Sequence, residues 1–149
     1  MTMRRADGVR QVSGGVPIDY QTKKILLISS RQDPQRYILP KGGWERNETR
    51  EEGAVRETFE EAGLEARVVN YLGTWDLHPK KDTERVKCEM AFYELAVDKV
   101  HDEWPEKEER RRMWVTFNEA LGLLSNPIML KAVEKCSLNP TSSLPNECL

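Results

Sequence analysis

The stretch from Thr49 to Ala62 has helical periodicity, and Gly63 directly after it supplies a stop, because glycine readily adopts the left-handed backbone that ends a helix. At about 100° per residue, Ala54, Val55, Thr58, Phe59 and Ala62 are read into one sector, the side that packs on a sheet. Glu57, Glu60 and Glu61 are read into the opposite, solvent-facing sector, where i, i+3 and i+4 spacing brings their carboxylates within reach of one another. Like charges so placed repel, and Arg56 is the sole nearby cation. A protein that needed only solubility would interleave lysines here. Three converging carboxylates suit a hard divalent cation, which takes oxygen ligands and keeps waters and phosphate oxygens in its shell. A plain acidic surface is the competing reading of the three glutamates taken alone.

The charge distribution sharpens that choice. From Glu45 to Glu65 there are eight glutamates against Arg46, Arg50 and Arg56, a local charge of −5 in a chain whose net charge is −2. An acidic island in a mildly basic body places a cation site beside an anion site, whereas the near balance of 23 basic and 25 acidic residues overall argues for no nucleic-acid or membrane partner. Cys88, Cys136 and Cys148 follow no metal-binding or thioredoxin-like spacing, which points to a reducing compartment and to no catalytic thiol. No apolar run approaches the ~20 residues of a membrane span, and Met1 to Gly8 is too polar for a signal peptide. The expected location is the cytoplasm, with the nucleus as a second compartment. A secreted form whose signal has been removed is the alternative.

A chain of 149 residues predicts one domain, set here at residues 8–136, with a disordered Pro-, Ser- and Asn-rich tail over 137–149. Gln11–Ile18, Lys24–Ser30, Tyr37–Leu39, Ala66–Asp76, Lys87–Val97 and Met113–Phe117 read as strands. Gly14-Gly15 marks a close backbone approach, and Lys41-Gly42-Gly43 reads as a glycine loop. Asp102–Arg112 is expected to be a solvent-facing loop or helical turn in which Trp104-Pro105 must find cover. Helices are expected from Asn118 to Leu124 and, after a break near Asn126, from Pro127 to about Lys135. These elements predict an α/β or α+β domain, a mixed sheet with flanking helices.

Gly42, five residues, Glu48, seven residues, then Arg56-Glu57-Thr58-Phe59-Glu60-Glu61-Ala62-Gly63-Leu64 resembles a complete Nudix box. Seven fixed positions match by chance on the order of once in 10⁸ starting points, given average residue usage. Thr58 departs mildly from the pattern, at a place where the family more often has an aliphatic residue. The resemblance implies an α/β/α sandwich and a Mg2+-dependent hydrolase, with Mn2+ as a substitute. It implies Glu57 and Glu61 as metal ligands, with the backbone at Lys41 and Gly42 beside them, and Glu60 or Glu61 as the catalytic base. It also implies that Glu48 contacts Arg56 as structural support.

Shorter runs extend the likeness over roughly Gly8 to Cys136. Arg10-Gln11-Val12-Ser13-Gly14-Gly15, Ile28-Ser29-Ser30, Arg36-Tyr37-Ile38-Leu39-Pro40-Lys41-Gly42-Gly43 and Arg110-Arg111-Arg112-Met113-Trp114 look like the diphosphoinositol polyphosphate phosphohydrolases. Lys41-Gly42-Gly43 and Phe92-Tyr93-Glu94-Leu95 are similar to the fungal members. The likeness implies a polyphosphorylated small-molecule substrate, with diadenosine polyphosphates as second substrates, met by Arg10, Ser30, Arg31, Arg36, Lys41, Gly43, Arg85, Lys87 and Arg110. A substrate this anionic needs several converging cations. Asn126 stands where that family places a lysine. Tyr37, Trp44, Trp75 and Trp104 are the aromatic candidates for stacking a base. The rival readings are a different Nudix hydrolase acting on capped RNA or a nucleoside diphosphate derivative, and a non-enzymatic binding module for inositol pyrophosphates. RNA is a partner only under the first of these, and a monomer is expected.

Overall fold

The structure, a computed structural model, describes residues 1–79, 84–142 and 144. Its centre is β1 (Arg10–Asp19), whose two edges are used differently. Along one edge it runs parallel to β6 (Cys88–Val100), from Arg10 opposite Cys88 to Ile18 opposite Ala96. Along the other edge it divides. Ile18 and Asp19 pair with the start of β2 (Lys24–Ser29), whereas Val12, Ser13 and Gly14 pair with β4 (Lys41–Gly43). β3 (Tyr37–Ile38) and β7 (Arg112–Val115) both pair with β2, and β5 (Leu64–Leu77) lies antiparallel outside β6. The result is one mixed seven-stranded sheet with a fork at β1.

Strand alternation sends successive side chains to opposite faces. Ile25 and Leu27 of β2, with Met90 and Phe92 of β6, join a cluster that includes Ile128, Met129 and Val133, so α2 (Phe117–Leu123) and α3 (Pro127–Lys135) cover that face. Leu26 and Ile28 cluster with Ala62 and Leu64, and Ala91, Tyr93 and Leu95 cluster with Ala54, so α1 (Arg50–Ala62) covers the other. The expected α/β/α sandwich is the fold observed. Gly14 and Gly15 do mark a tight approach: an added Cβ would lie 2.4 Å from the Phe92 ring and 2.5 Å from Leu95.

Several expectations need correction. Lys41-Gly42-Gly43 is a strand rather than a loop, because β1 offers it a free edge where β2 has turned away to pair with β3 and β7. The packed face of α1 comprises Gly53, Ala54, Glu57, Thr58, Glu61 and Ala62, with Val55 and Phe59 only half-buried. Residues seven apart on a helix drift by only ~20°, so Glu61 shares the side of Ala54, and the solvent-facing placement of Glu57 and Glu61 is wrong. Hydrogen bonding to the sheet continues past both expected ends. Before residue 8, the Met3 amide donates to the Trp44 carbonyl and the Gln11 amide to the Met3 carbonyl. After Cys136, Ser137 is buried, its amide donating to Glu94 at 2.8 Å, and a turn follows through Asn139 to Ser142. Residues 143 and 145–149 of the expected tail, including Cys148, lie outside the described residues.

Candidate active site

α1 begins with a reciprocal cap: the Glu52 amide donates to the Thr49 hydroxyl at 3.1 Å, and the Thr49 amide donates to the Glu52 carboxylate at 2.7 Å. The helix thus starts at a fixed residue, which sets where its glutamates emerge. They emerge against β4. The Lys41 amide donates to Glu61 Oε1 at 3.1 Å, and a Cβ at Gly42 would lie 2.2 to 2.4 Å from the Glu57 carboxyl atoms. Only glycine lets that carboxylate sit flat on the strand.

Arg56 ties the site together. Its Nη2 and Nε donate to the two oxygens of Glu48 at 2.7 and 3.0 Å, its Nη2 also donates to the Gly43 carbonyl at 3.0 Å, and its Nη1 donates to Glu57 at 2.9 Å. Glu60 is further away, with 3.4 Å to the same Nη1, and is about 39% exposed in its side chain. Arg56 beside it holds the Glu48 carboxyl below the usual range. Burial raises the Glu57 carboxyl, against the pull of Arg56. Burial also pushes Glu61 up to about 7; the Arg110 charge and the Lys41 amide oppose that rise, and Glu57 and Glu106 add to it.

The structure thus gathers Lys41, Gly42, Gly43, Glu48, Arg56 and the three box glutamates into one network. Arg110 joins it, though not at the surface. It is buried, with Nη2 at 3.3 Å from Glu61 Oε2 and 2.9 Å from Glu106, and Nη1 donating to the Ser29 carbonyl at 3.0 Å. Arg31 lies nearby, paired at 3.5 Å with Glu109 and 3.9 Å from Glu106. Arg10, Lys41 and Lys87 form a second group whose charges all act on the half-buried Cys88 thiol, although burial outweighs them and raises it. Arg10 reaches over Gly43, within 2.9 Å of where a Cβ would stand, so Arg10 lies across β4 from Glu57. Ser30 and Arg36 belong instead to the turn ahead of β3, with the Ser30 hydroxyl bonded to Gln32, and Arg85 stands on the approach to β6.

Sequence reasoning missed Glu106, because the run Asp102–Arg112 reads as a solvated charge cluster and, beyond the local pair with Arg110, its partners Arg31 and the Glu60 carbonyl are distant in sequence. Asn126 caps α3, accepting from the Ile128 and Met129 amides at 2.9 and 3.2 Å, so its side chain already has a structural task. Of the aromatic candidates, Trp44 donates to the Glu48 carbonyl, Trp104 donates to the Glu61 carbonyl, and Tyr37 lies beneath the Arg111 guanidinium.

Among the described residues no three His, Cys, Asp or Glu side chains are drawn together at a metal-binding spacing. The donor chemistry nevertheless fits a hard cation. Two buried carboxylates lie against a strand where only glycine fits, and the few ligands they supply match an ion that keeps water and phosphate in its shell.

The NUDIX domain family model matches residues 9–136. The chain is 40% identical over 132 residues to Nudix hydrolase 21, chloroplastic, of Arabidopsis thaliana, covering 85% of this chain and 66% of that protein. It is 30% identical over 135 residues to diphosphoinositol polyphosphate phosphohydrolase 2 of Mus musculus, covering 85% of this chain and 72% of that protein. A solved NUDIX hydrolase from Nitrosomonas europaea superposes with a TM-score of 0.69 at 17% identity, covering 85% of this chain and 86% of that one, which is a likeness of fold. The chain spans slightly under two thirds of the length of the first of these plant relatives.

Proposed function

The chain belongs to the NUDIX domain family, and on that premise we propose that it is a divalent-metal-dependent hydrolase of phosphoanhydride bonds in a polyphosphorylated small molecule. The observation that carries the reading is the pair of buried carboxylates, Glu57 and Glu61, set against the Lys41–Gly43 backbone with the cation Arg10 across the strand. Family members work with Mg2+ or Mn2+. In this reading Glu57 and Glu61 hold Mg2+, with backbone oxygens of Lys41 and Gly42 as further donors and Mn2+ as a substitute. The bound cation supplies neutralising charge to phosphate oxygens and lowers the pKa of a water molecule. Glu60, half-exposed and only weakly held by Arg56, accepts the proton of the attacking water. Arg56 keeps Glu57 and the Gly43 carbonyl in place through its pair with Glu48.

The substrate reading is diphosphoinositol polyphosphates, with diadenosine polyphosphates second. Its support is the 30% identity to the mouse protein named for that activity, the short runs similar to fungal members, and the cationic group beside β4. Arg10, Lys41, Lys87 and Arg31 are the substrate contacts this reading favours, with Gly43 of β4, Ser30 and Arg36 of the turn ahead of β3, and Arg85 before β6 as further candidates. Arg110 is buried among its partners and is moved from that group. The protein acts as a monomer in an aqueous compartment. Among the described residues no helix is long and apolar enough to cross a membrane. The cytoplasm rests on sequence alone, since Nudix hydrolase 21 of Arabidopsis thaliana is named as a chloroplastic protein.

Phosphate release with and without Mg2+, from a diphosphoinositol pentakisphosphate, a diadenosine polyphosphate and capped RNA in parallel, tests both levels. Mg2+-dependent release that favours the first compound is expected. Preference for capped RNA would remove the substrate reading and keep the hydrolase; no release from any of the three would count against the hydrolase.

A further inference from the structure

The last four carbonyls of an α-helix have no partner within the helix, and an unsatisfied end frays. In α1 those carbonyls belong to Phe59, Glu60, Glu61 and Ala62, so fraying there would move Glu60 and Glu61, two of the three glutamates on which the proposed chemistry depends. The Gly63 amide takes the Phe59 carbonyl at 2.9 Å. The other three are taken from outside the helix, all by one short segment. The Glu106 amide donates to Glu60 at 3.1 Å, the Trp104 indole Nε1 donates to Glu61 at 3.1 Å, and Arg112 Nη1 donates to Ala62 at 3.2 Å. The indole cannot easily turn away. A Cβ at Gly63 would lie 2.6 to 2.8 Å from its ring, and the Arg112 guanidinium stands over the ring at 3.9 Å from the centroid. Gly63 itself has φ of 69°, the left-handed backbone that lets the chain leave the helix beneath the ring.

Resting on the hydrolase reading above, we propose that Trp104 is a positioning residue for Glu61: its indole N–H fixes the backbone carbonyl of Glu61, and so the point from which that carboxylate reaches the β4 strand. The side chain of Glu61 is held at its other end by the Lys41 amide and Arg110. With the backbone and both oxygens restrained, the carboxylate enters the metal-bound state with little reorganisation, which is the value of fixing groups around a ligand. Trp104 carries no charge, so replacing it leaves the electrostatics of the site alone.

Trp104→Phe keeps a ring between Gly63 and Arg112 and removes only the N–H; Trp104→Leu also removes the stacked ring. For both, Mn2+ binding to the substrate-free protein, kcat, KM and Tm are measured. Trp104→Phe is expected to weaken Mn2+ binding and lower kcat by about five- to tenfold, with KM within about threefold and Tm within a few degrees of the parent. Trp104→Leu should go further in the same direction. Unchanged Mn2+ affinity and kcat with a lower Tm would overturn the proposal in favour of plain packing. A raised KM with kcat retained would overturn it in favour of a stacking contact with substrate. A parent protein that binds Mn2+ and hydrolyses none of the compounds named above sinks the hydrolase reading alone, because the Mn2+ comparison still decides the role of Trp104; a parent that binds no Mn2+ overturns both.

Discussion

Glu61 carries the opposed demands of burial and charge. A carboxyl whose pKa lies near 7 in the folded state, against 4.5 as its ordinary value, binds its proton more tightly folded than unfolded. Between those two values the folded protein holds more protons, so the contribution of this group to stability is complete at low pH and is lost as pH rises toward 7. A cation needs the carboxylate, so its binding moves the opposite way. The metal-free protein should lose melting temperature from pH 5 to pH 7, while the rise in melting temperature on adding Mg2+ should be small at pH 5.5 and large at pH 8. An equal Mg2+ effect at both would sink the idea. Replacing Glu60 or Glu61 by Gln should lower turnover by about 10²–10⁴-fold, the usual worth of a general base or its metal. Near-normal turnover in both variants would leave the base unassigned.

At the scale of the element, α1 shows how a helix can be specified by its ends. The Thr49–Glu52 box opens it, and Gly63 with the segment from Trp104 to Arg112 closes it. Its middle holds one apparent misfit. The Thr58 hydroxyl is buried without a hydrogen-bond partner among the described residues, wedged 3.0 Å from where a Cβ of Gly15 would stand. An unpaired buried hydroxyl is costly, so Thr58→Val, which keeps the shape, should stabilise the protein by about 1 kcal/mol in urea unfolding with kcat unchanged. A loss of stability would show that the hydroxyl has an unseen partner. The three-residue β4 makes the complementary point. Too short to read as a strand, it exists because β2 leaves β1 unpaired at its start, and from there it sets Gly42 against Glu57.

Across the whole molecule, the α3-covered face of the sheet is joined to the chain beyond α3 by one buried acid. Glu94 on β6 is fully buried and accepts from the Tyr20 hydroxyl, the Ser137 amide and the Ser137 hydroxyl, so it binds the exit of α3 to the loop after β1. Ending the chain at Cys136 would remove both Ser137 donors from a buried carboxylate. Such a truncation should cost about 3 kcal/mol by chemical denaturation, as does breaking a buried charged network. A truncated protein as stable as the parent would show that the domain ends at Cys136 after all.

The sequence by itself determined the helix, the glutamate spacing and the outline of the sandwich, because periodicity and stop signals are local and are written in consecutive residues. It also placed Glu48 and Arg56 in one motif, and the tertiary structure shows them paired. Which glutamates are buried, what holds Arg110, and why Trp104 lies against Gly63 were decided only by the tertiary structure. Apart from the Glu106–Arg110 pair, those contacts join residues distant in sequence, from 20 positions for Lys41 and Glu61 to 81 for Ser29 and Arg110, through a fork in the sheet and a loop of charged residues whose cover comes from elsewhere in the fold. A helical wheel knows one packed side. In this fold the packed side of α1 meets β4 as well as the longer strands of the sheet, and the glycine backbone of β4 leaves room for two glutamates to be buried there.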